Sequence, residues 1–141
     1  MPIERMEHYL VLSDDIDETK RFYCEALGMR EGFRPDLGFP GYWLYVGETP
    51  CIHVAEWETY AVWTKKVGIP ISTRAPVTGP LDHIAFNATG YDELAERLDK
   101  LGVILGRNLL DEIGLRQLYI RDPNGLVIEL NFREGRRSRA V

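Results

Sequence analysis

Two stretches of the chain run through the same order of apolar and polar positions. From Tyr9 the apolar run YLVL breaks into the polar SDDIDE, and from Ile84 the run IAF breaks into NATGYDE. β-Branched and apolar content closed off by a polar cluster predicts a strand in each place. The residues after each break have the 3.6-residue spacing of a helix with one apolar stripe. In the first stretch the stripe is Ile16, Phe22, Tyr23, Ala26 and Leu27; in the second it is Tyr91, Leu94, Ala95, Leu98 and Leu101. Ser13 or Asp14 is the expected N-cap of the first helix, and Gly28 and Gly102 suit the position just past each helix end. Three more short strand-like runs come after each helix. They are expected near Arg30–Arg34, Tyr42–Val46 and Cys51–Trp57, and again near Ile104–Leu110, Arg116–Ile120 and Val127–Phe132. Gly, Pro and Asp separate them, most clearly in DPNG.

Each half therefore reads β-α-β-β-β, and the fold class is α+β with two βαβββ modules. The halves are an internal repeat. His8 and His83 are 75 residues apart, as are Asp17 and Asp92, and one skipped residue then aligns Gly28 with Gly102. The expected layout within one domain spanning 1–141 is module one at about 6–57, a connector at about 58–80, module two at about 81–132 and a basic tail at 133–141. The connector begins amphipathic (YAVWTKKVG) and becomes rich in Pro and Gly.

Composition narrows the function classes. The formal net charge is −5, with no basic face to neutralise phosphates, so a nucleic-acid partner is not expected. Arg133, Arg136, Arg137 and Arg139 cluster at the end, where a frayed, solvated terminus is expected. No apolar run is long enough to span a membrane, and the start lacks the pattern of a signal peptide. Cys24 and Cys51 form no CxxC motif and no disulfide framework. A cytoplasmic protein with reduced thiols is the expectation.

Chemistry concentrates at four positions. All three histidines and one carboxylate share the register of the repeat: His8 and His83 open the halves, and His53 and Glu129 stand on their last strands. Because side chains alternate across a strand, one residue per strand can face inward without disturbing its apolar neighbours. Two histidines and a carboxylate, with a third histidine near, suit a divalent metal: Fe(II), Mn(II), Zn(II), Ni(II) or Co(II). Glu56 has the wrong parity to share the face of His53. Cys51 shares that face, either as a soft ligand or as a packed thiol.

The residues HYLVLSDDIDETKRFYCEALGM, DHIAF and RDPNGLVIEL resemble the vicinal oxygen chelate superfamily, over about Met6 to Phe132. That superfamily includes glyoxalase I, extradiol ring-cleavage dioxygenases, methylmalonyl-CoA epimerase and fosfomycin or bleomycin resistance proteins. The resemblance implies paired βαβββ modules forming a cupped, open β-barrel, often in a homodimer, that binds a small substrate with adjacent oxygens. It places the metal ligands on His8, His83 and Glu129, with the fourth position at His53. Glyoxalase I-like enzymes usually have a glutamate at that fourth position. Extradiol dioxygenases have an acid–base histidine there and a tyrosine ten residues before the glutamate, which His53 and Tyr119 match. The open-sided two-histidine, one-carboxylate set favours Fe(II) or Mn(II). Another histidine common in those dioxygenases is replaced here by Leu110. The expectation leans to an extradiol-type dioxygenase, with a glyoxalase-like lyase, isomerase or epimerase and a ligand-binding resistance protein as alternatives. Trp43 and Tyr45, with Phe39, are candidates for lining a substrate pocket or for core and dimer packing. Arg116 is a candidate for a substrate carboxylate, the ordinary alternative being a surface ion pair.

Overall fold

In a computed structural model describing residues 2–134, the chain divides between Arg74 and Ala75 into two units, each built on a four-stranded mixed sheet. The first unit holds β1 (Tyr9–Ser13), α1 (Ile16–Arg21), β2 (Arg30–Gly32), β3 (Gly41–Val46), β4 (Thr49–Glu56) and α2 (Trp57–Val67). The second holds β5 (Ile84–Ala88), α3 (Tyr91–Lys100), β6 (Ile104–Leu110), β7 (Leu115–Arg121) and β8 (Val127–Phe132). Strand order is β1-β4-β3-β2 in one and β5-β8-β7-β6 in the other. In both, the first and last strands run parallel and the remaining pairs antiparallel. The expected βαβββ order holds in both halves, and the fold class is α+β.

This topology positions the chemistry. Pairing first strand with last brings residues some 45 positions apart in sequence side by side. Leu10 pairs with His53, and Ala85 pairs with Glu129. His8 and His83 each stand two residues before that partner, and so on the same face by strand alternation. Each also sits one residue ahead of its strand rather than inside it.

The other face of each sheet carries the core. Leu44, Ile52 and Val54 are fully or almost fully buried with Tyr23 in the first unit, as are Leu98, Leu118, Ile120, Ile128 and Phe132 in the second. The residue skipped in the repeat has a structural counterpart. After α1 the backbone widens into a π-helical turn at Phe22–Ala26, so Ile16 to Ala26 spans eleven residues against the 10 of α3. A π turn is how a helix absorbs one extra residue. Both helices still end on a left-handed glycine, Gly28 with φ 78° and Gly102 with φ 70°.

Three sequence expectations are corrected. The N-cap of α1 is Asp15, whose Oδ1 accepts the Glu18 N–H at 3.0 Å. Ser13 cannot serve because, as a strand residue, it faces the buried side; there it bonds the Thr19 hydroxyl at 2.9 Å and accepts the Asp15 N–H. The expected connector begins as the eleven-residue helix α2, which packs on β4 and stops at Gly68 in the left-handed region. Its Tyr60 and Trp63 hold Phe39 at ring distances of 5.2 and 5.1 Å, so Phe39 anchors the β2–β3 loop to this helix. Finally, Arg133 is not a loose tail residue, since its guanidinium donates to Asn87 Oδ1 at 2.9 Å. Arg136, Arg137 and Arg139 lie outside the described residues.

Gly41 marks a close approach between strands. A Cβ there would stand 2.2 Å from the Val54 carbonyl oxygen, a backbone atom that cannot swing away. Gly41→Ala is expected to separate β3 from β4 and to lower stability by about 1–3 kcal/mol, read as a lower urea midpoint.

Candidate functional site

In the first unit the site is a stack of rings. His53 lies between His8, at 3.6 Å and 12° from parallel, and Trp43, at 4.3 Å and 10°. Trp43 is its direct cross-strand partner on β3. His8 Nδ1 donates to Glu7 Oε1 at 2.8 Å, which leaves Nε2 with the lone pair. His53 is held the other way round. Its Nε2 lies 3.1 Å from the Pro50 carbonyl oxygen, which can only accept, so the proton sits on Nε2 and Nδ1 carries the lone pair. Burial, and then the neighbouring His8, push the His53 pKa down to about 4, so its ring is neutral at physiological pH. Cys51 is a protonated, part-buried thiol, its pKa raised by burial. Tyr45 is engaged in holding the loop: its hydroxyl donates to the Phe33 carbonyl at 2.6 Å and its ring receives Arg30 at 4.8 Å.

The second unit repeats the acid–histidine pair. His83 Nδ1 donates to Asp82 Oδ2 at 2.7 Å, and Nε2 faces Glu129 Oε1 at 3.4 Å. Both of these facing atoms are electron-pair donors when the ring is neutral, so the contact calls for a proton or a cation between them. The Asp82 hydrogen bond, with a further contribution from Glu129, raises the His83 pKa above the ordinary imidazole value. Tyr119 pairs directly across from Glu129, and its ring meets His83 edge-on at 6.2 Å. The hydrogen bond to Glu129, more than burial, raises the Tyr119 pKa, which keeps the phenol protonated.

Arg116 stands on the opposite face. It lies over the Tyr91 ring at 4.1 Å and 3.8 Å from Asp92, both on α3, so the ordinary ion pair is the observed arrangement. Sequence reasoning missed Asn131, which donates to Glu129 Oε2 at 2.7 Å, and behind it Gln117 and Asn108. The signal was available: Asn131 stands two residues after Glu129 along β8, and Gln117 two before Tyr119 along β7.

Among the described residues no group of three or more His, Cys, Asp and Glu side chains is placed to hold a metal ion. Each unit brings together two of the four expected ligands. The His83–Glu129 pair fits a metal as it stands, because two ligand atoms about 2.1 Å from a zinc-sized ion at a tetrahedral angle lie about 3.4 Å apart. In both units an acidic neighbour on Nδ1 fixes the tautomer that leaves Nε2 for coordination, the usual outer-sphere support of a ligating histidine. His53 fits less well, offering only Nδ1 while Nε2 remains on Pro50.

The ordering of these elements is shared with known proteins. Residues 5–130 match the Glyoxalase/Bleomycin resistance protein/Dioxygenase superfamily. The chain belongs to that superfamily. It is 31% identical over 129 residues to Glyoxylase I 4 of Arabidopsis thaliana, covering 89% of this chain and 68% of that protein. Among solved structures it is similar to the fosfomycin resistance protein FosX from Listeria monocytogenes, with TM-score 0.67 and 19% identity over 95% of this chain and 98% of the other. Lactoylglutathione lyase from Agrobacterium tumefaciens superposes with TM-score 0.61 and 19% identity over 94% and 96%. Superfamily membership and the α+β fold of the sequence expectation are thus established. No helix among the described residues is long and apolar enough to cross a membrane.

The lowered His53 pKa gives a test of the ring stack. An unfolded histidine titrates near 6.5, so between about 6.5 and about 4 the unfolded chain takes up a proton that folded His53 refuses. The stability contributed by the neutral ring is present above that window and lost as pH falls through it. In the metal-free protein, His53→Leu is expected to flatten this part of the acid limb in urea denaturation monitored from pH 7 to pH 4.

Proposed function

We propose that the protein is a metal-dependent enzyme of the glyoxalase-like lyase or isomerase class. Its substrate is a small molecule with adjacent oxygens, and the metal ligands are His8, His83 and Glu129. The observation that carries this reading is the pair of matching half-sites. In each, a carboxylate-supported histidine just before the first strand shares a face with a ligand-capable side chain on the last strand. The 31% identity to a protein named as a glyoxylase I supports the class.

A divalent metal would polarise a substrate oxygen and stabilise the charge developing on it. Glu129 is the better-placed proton carrier, because Asn131 holds Oε2 while Oε1 faces the site. Tyr119, kept protonated, would turn its single O–H from Glu129 to a substrate oxygen. His53, neutral and turned towards Pro50, would supply a ring surface or a fourth ligand through Nδ1 rather than shuttle protons near neutrality. This weakens the acid–base role that the dioxygenase expectation assigned to it.

The extradiol dioxygenase reading is kept as the second, on the cross-strand apposition of Tyr119 and Glu129. One experiment separates them. Untagged protein is stripped, then loaded in parallel with Ni(II), Co(II), Zn(II), Mn(II) and Fe(II). Isomerisation of a hemithioacetal is measured in one series and oxygen uptake with catechols in the other. Turnover of the hemithioacetal is expected; oxygen consumption with Fe(II) alone would favour the dioxygenase. Tight binding of either substrate with no turnover would favour a sequestering protein.

A further inference from the structure

We infer that Asn131, Gln117 and Asn108 form a directed amide relay whose task is to hold the Glu129 carboxylate in its ligating rotamer. The inference rests on the proposed role of Glu129 as a metal ligand. The relay is laid across three strands by register: Asn108 pairs with Gln117, and Gln117 with Asn131, while Tyr119 pairs with Glu129 two positions along.

Its direction is forced from one end. An ionised carboxylate only accepts hydrogen bonds, so Asn131 must turn its NH2 group to Glu129 Oε2, at 2.7 Å. That points the Asn131 carbonyl at Gln117, whose NH2 donates to it at 2.9 Å. The Gln117 carbonyl in turn receives the Asn108 NH2 at 2.8 Å. No amide between Glu129 and Asn108 can flip without setting two donors or two acceptors against each other. Gln117 is 9% exposed and the Glu129 side chain 14%, so water competes weakly for the bonds from Gln117 through Asn131 to Glu129, while Asn108 closes the outer end in solvent.

The other half of the repeat shows what the relay is for. Gly41 pairs with Ala55 at the positions where Gln117 pairs with Asn131. The first unit's last strand carries a ring, His53, held flat by Trp43 and needing no such support. The second unit's last strand carries a flexible anionic side chain, and there amides take the places of Gly41 and Ala55. They are positioning residues: they act through Glu129, leaving Oε1 turned towards His83 Nε2.

The test uses the full chain and Mn(II) binding by titration calorimetry. Asn131→Leu is expected to weaken Mn(II) binding by about 10–100-fold. Gln117→Met is expected to weaken it less, and to cause little further loss when added to Asn131→Leu, because its NH2 group reaches Glu129 through Asn131, its other link being a long contact of 3.4 Å from the Tyr119 hydroxyl to its Oε1. Urea midpoints of the three variants establish that they remain folded. A second readout needs no metal: the side-chain amide proton signals of Asn131 and Gln117 are expected to shift together in Glu129→Gln, which removes the obligate acceptor. Unchanged Mn(II) affinity in Asn131→Leu overturns the relay, as do additive losses from the two substitutions. If the parent chain binds neither Mn(II), Ni(II) nor Zn(II), the proposed function fails. The amide signals then decide the relay alone, and unshifted signals in Glu129→Gln overturn it.

Discussion

The double variant His8→Ala, His83→Ala is expected to lose its metal entirely, falling from about one divalent ion per chain to none measurable by elemental analysis. The two histidines are each oriented by a carboxylate on Nδ1, Glu7 and Asp82, and each offers Nε2. Removing both deletes two of three proposed ligands, and Glu129 alone cannot hold a transition metal against water. Hemithioacetal turnover should drop to the level of buffer with free metal. Fold should survive, because both side chains are partly exposed and lie ahead of their strands rather than within the core. Retention of stoichiometric metal and turnover by this variant would sink the proposed function.

Phe132→Ala is expected to have the largest effect on stability, a loss of about 3–5 kcal/mol. Phe132 is fully buried on the helix-covered face of β8, with Tyr91 of α3 edge-on at 5.1 Å. Truncation removes a large apolar surface and leaves a cavity between a sheet and a helix that cannot close over it without shifting. Since small domains are stable by only about 5–15 kcal/mol, the urea midpoint should move by a large fraction of its value. Leu109, exposed on β6, is the control: Leu109→Ala should change stability by no more than about 0.5 kcal/mol.

Much of the architecture was legible along the chain. The bounds of β6 and β8 agree with the expected runs, and β3 and β7 differ by one or two residues at their ends. Strand alternation and helical spacing are local properties, so they survive in one dimension. The capping residue of α1 was misplaced because Ser13, Asp14 and Asp15 are chemically similar candidates. Only the folded backbone decides among them, turning Ser13 to the buried side and bringing Asp15 Oδ1 to the Glu18 N–H. The helical nature of the connector was obscured by its second half, where Pro and Gly dominate after Gly68. Arg116 is adjacent to Gln117 on β7, so strand parity sends it to the α3 side, where its charge finds Asp92.

The candidate site divides along the same line. The repeat, the four metal-capable residues in register and the acid placed before each opening histidine are set by the order of residues, because a duplicated module repeats its chemistry at a fixed spacing. What the order could not contain is which side chains meet across strands. Parallel pairing of first strand with last brings His83 to Glu129, and antiparallel register aligns Asn108, Gln117 and Asn131 behind that carboxylate. Burial of His53 in the ring stack, and then the neighbouring His8, lower its pKa and keep the ring neutral, against the pull of the Pro50 carbonyl on its Nε2. Hydrogen-bond direction and desolvation depend on neighbours brought from elsewhere in the chain, and those exist only once the sheet has formed.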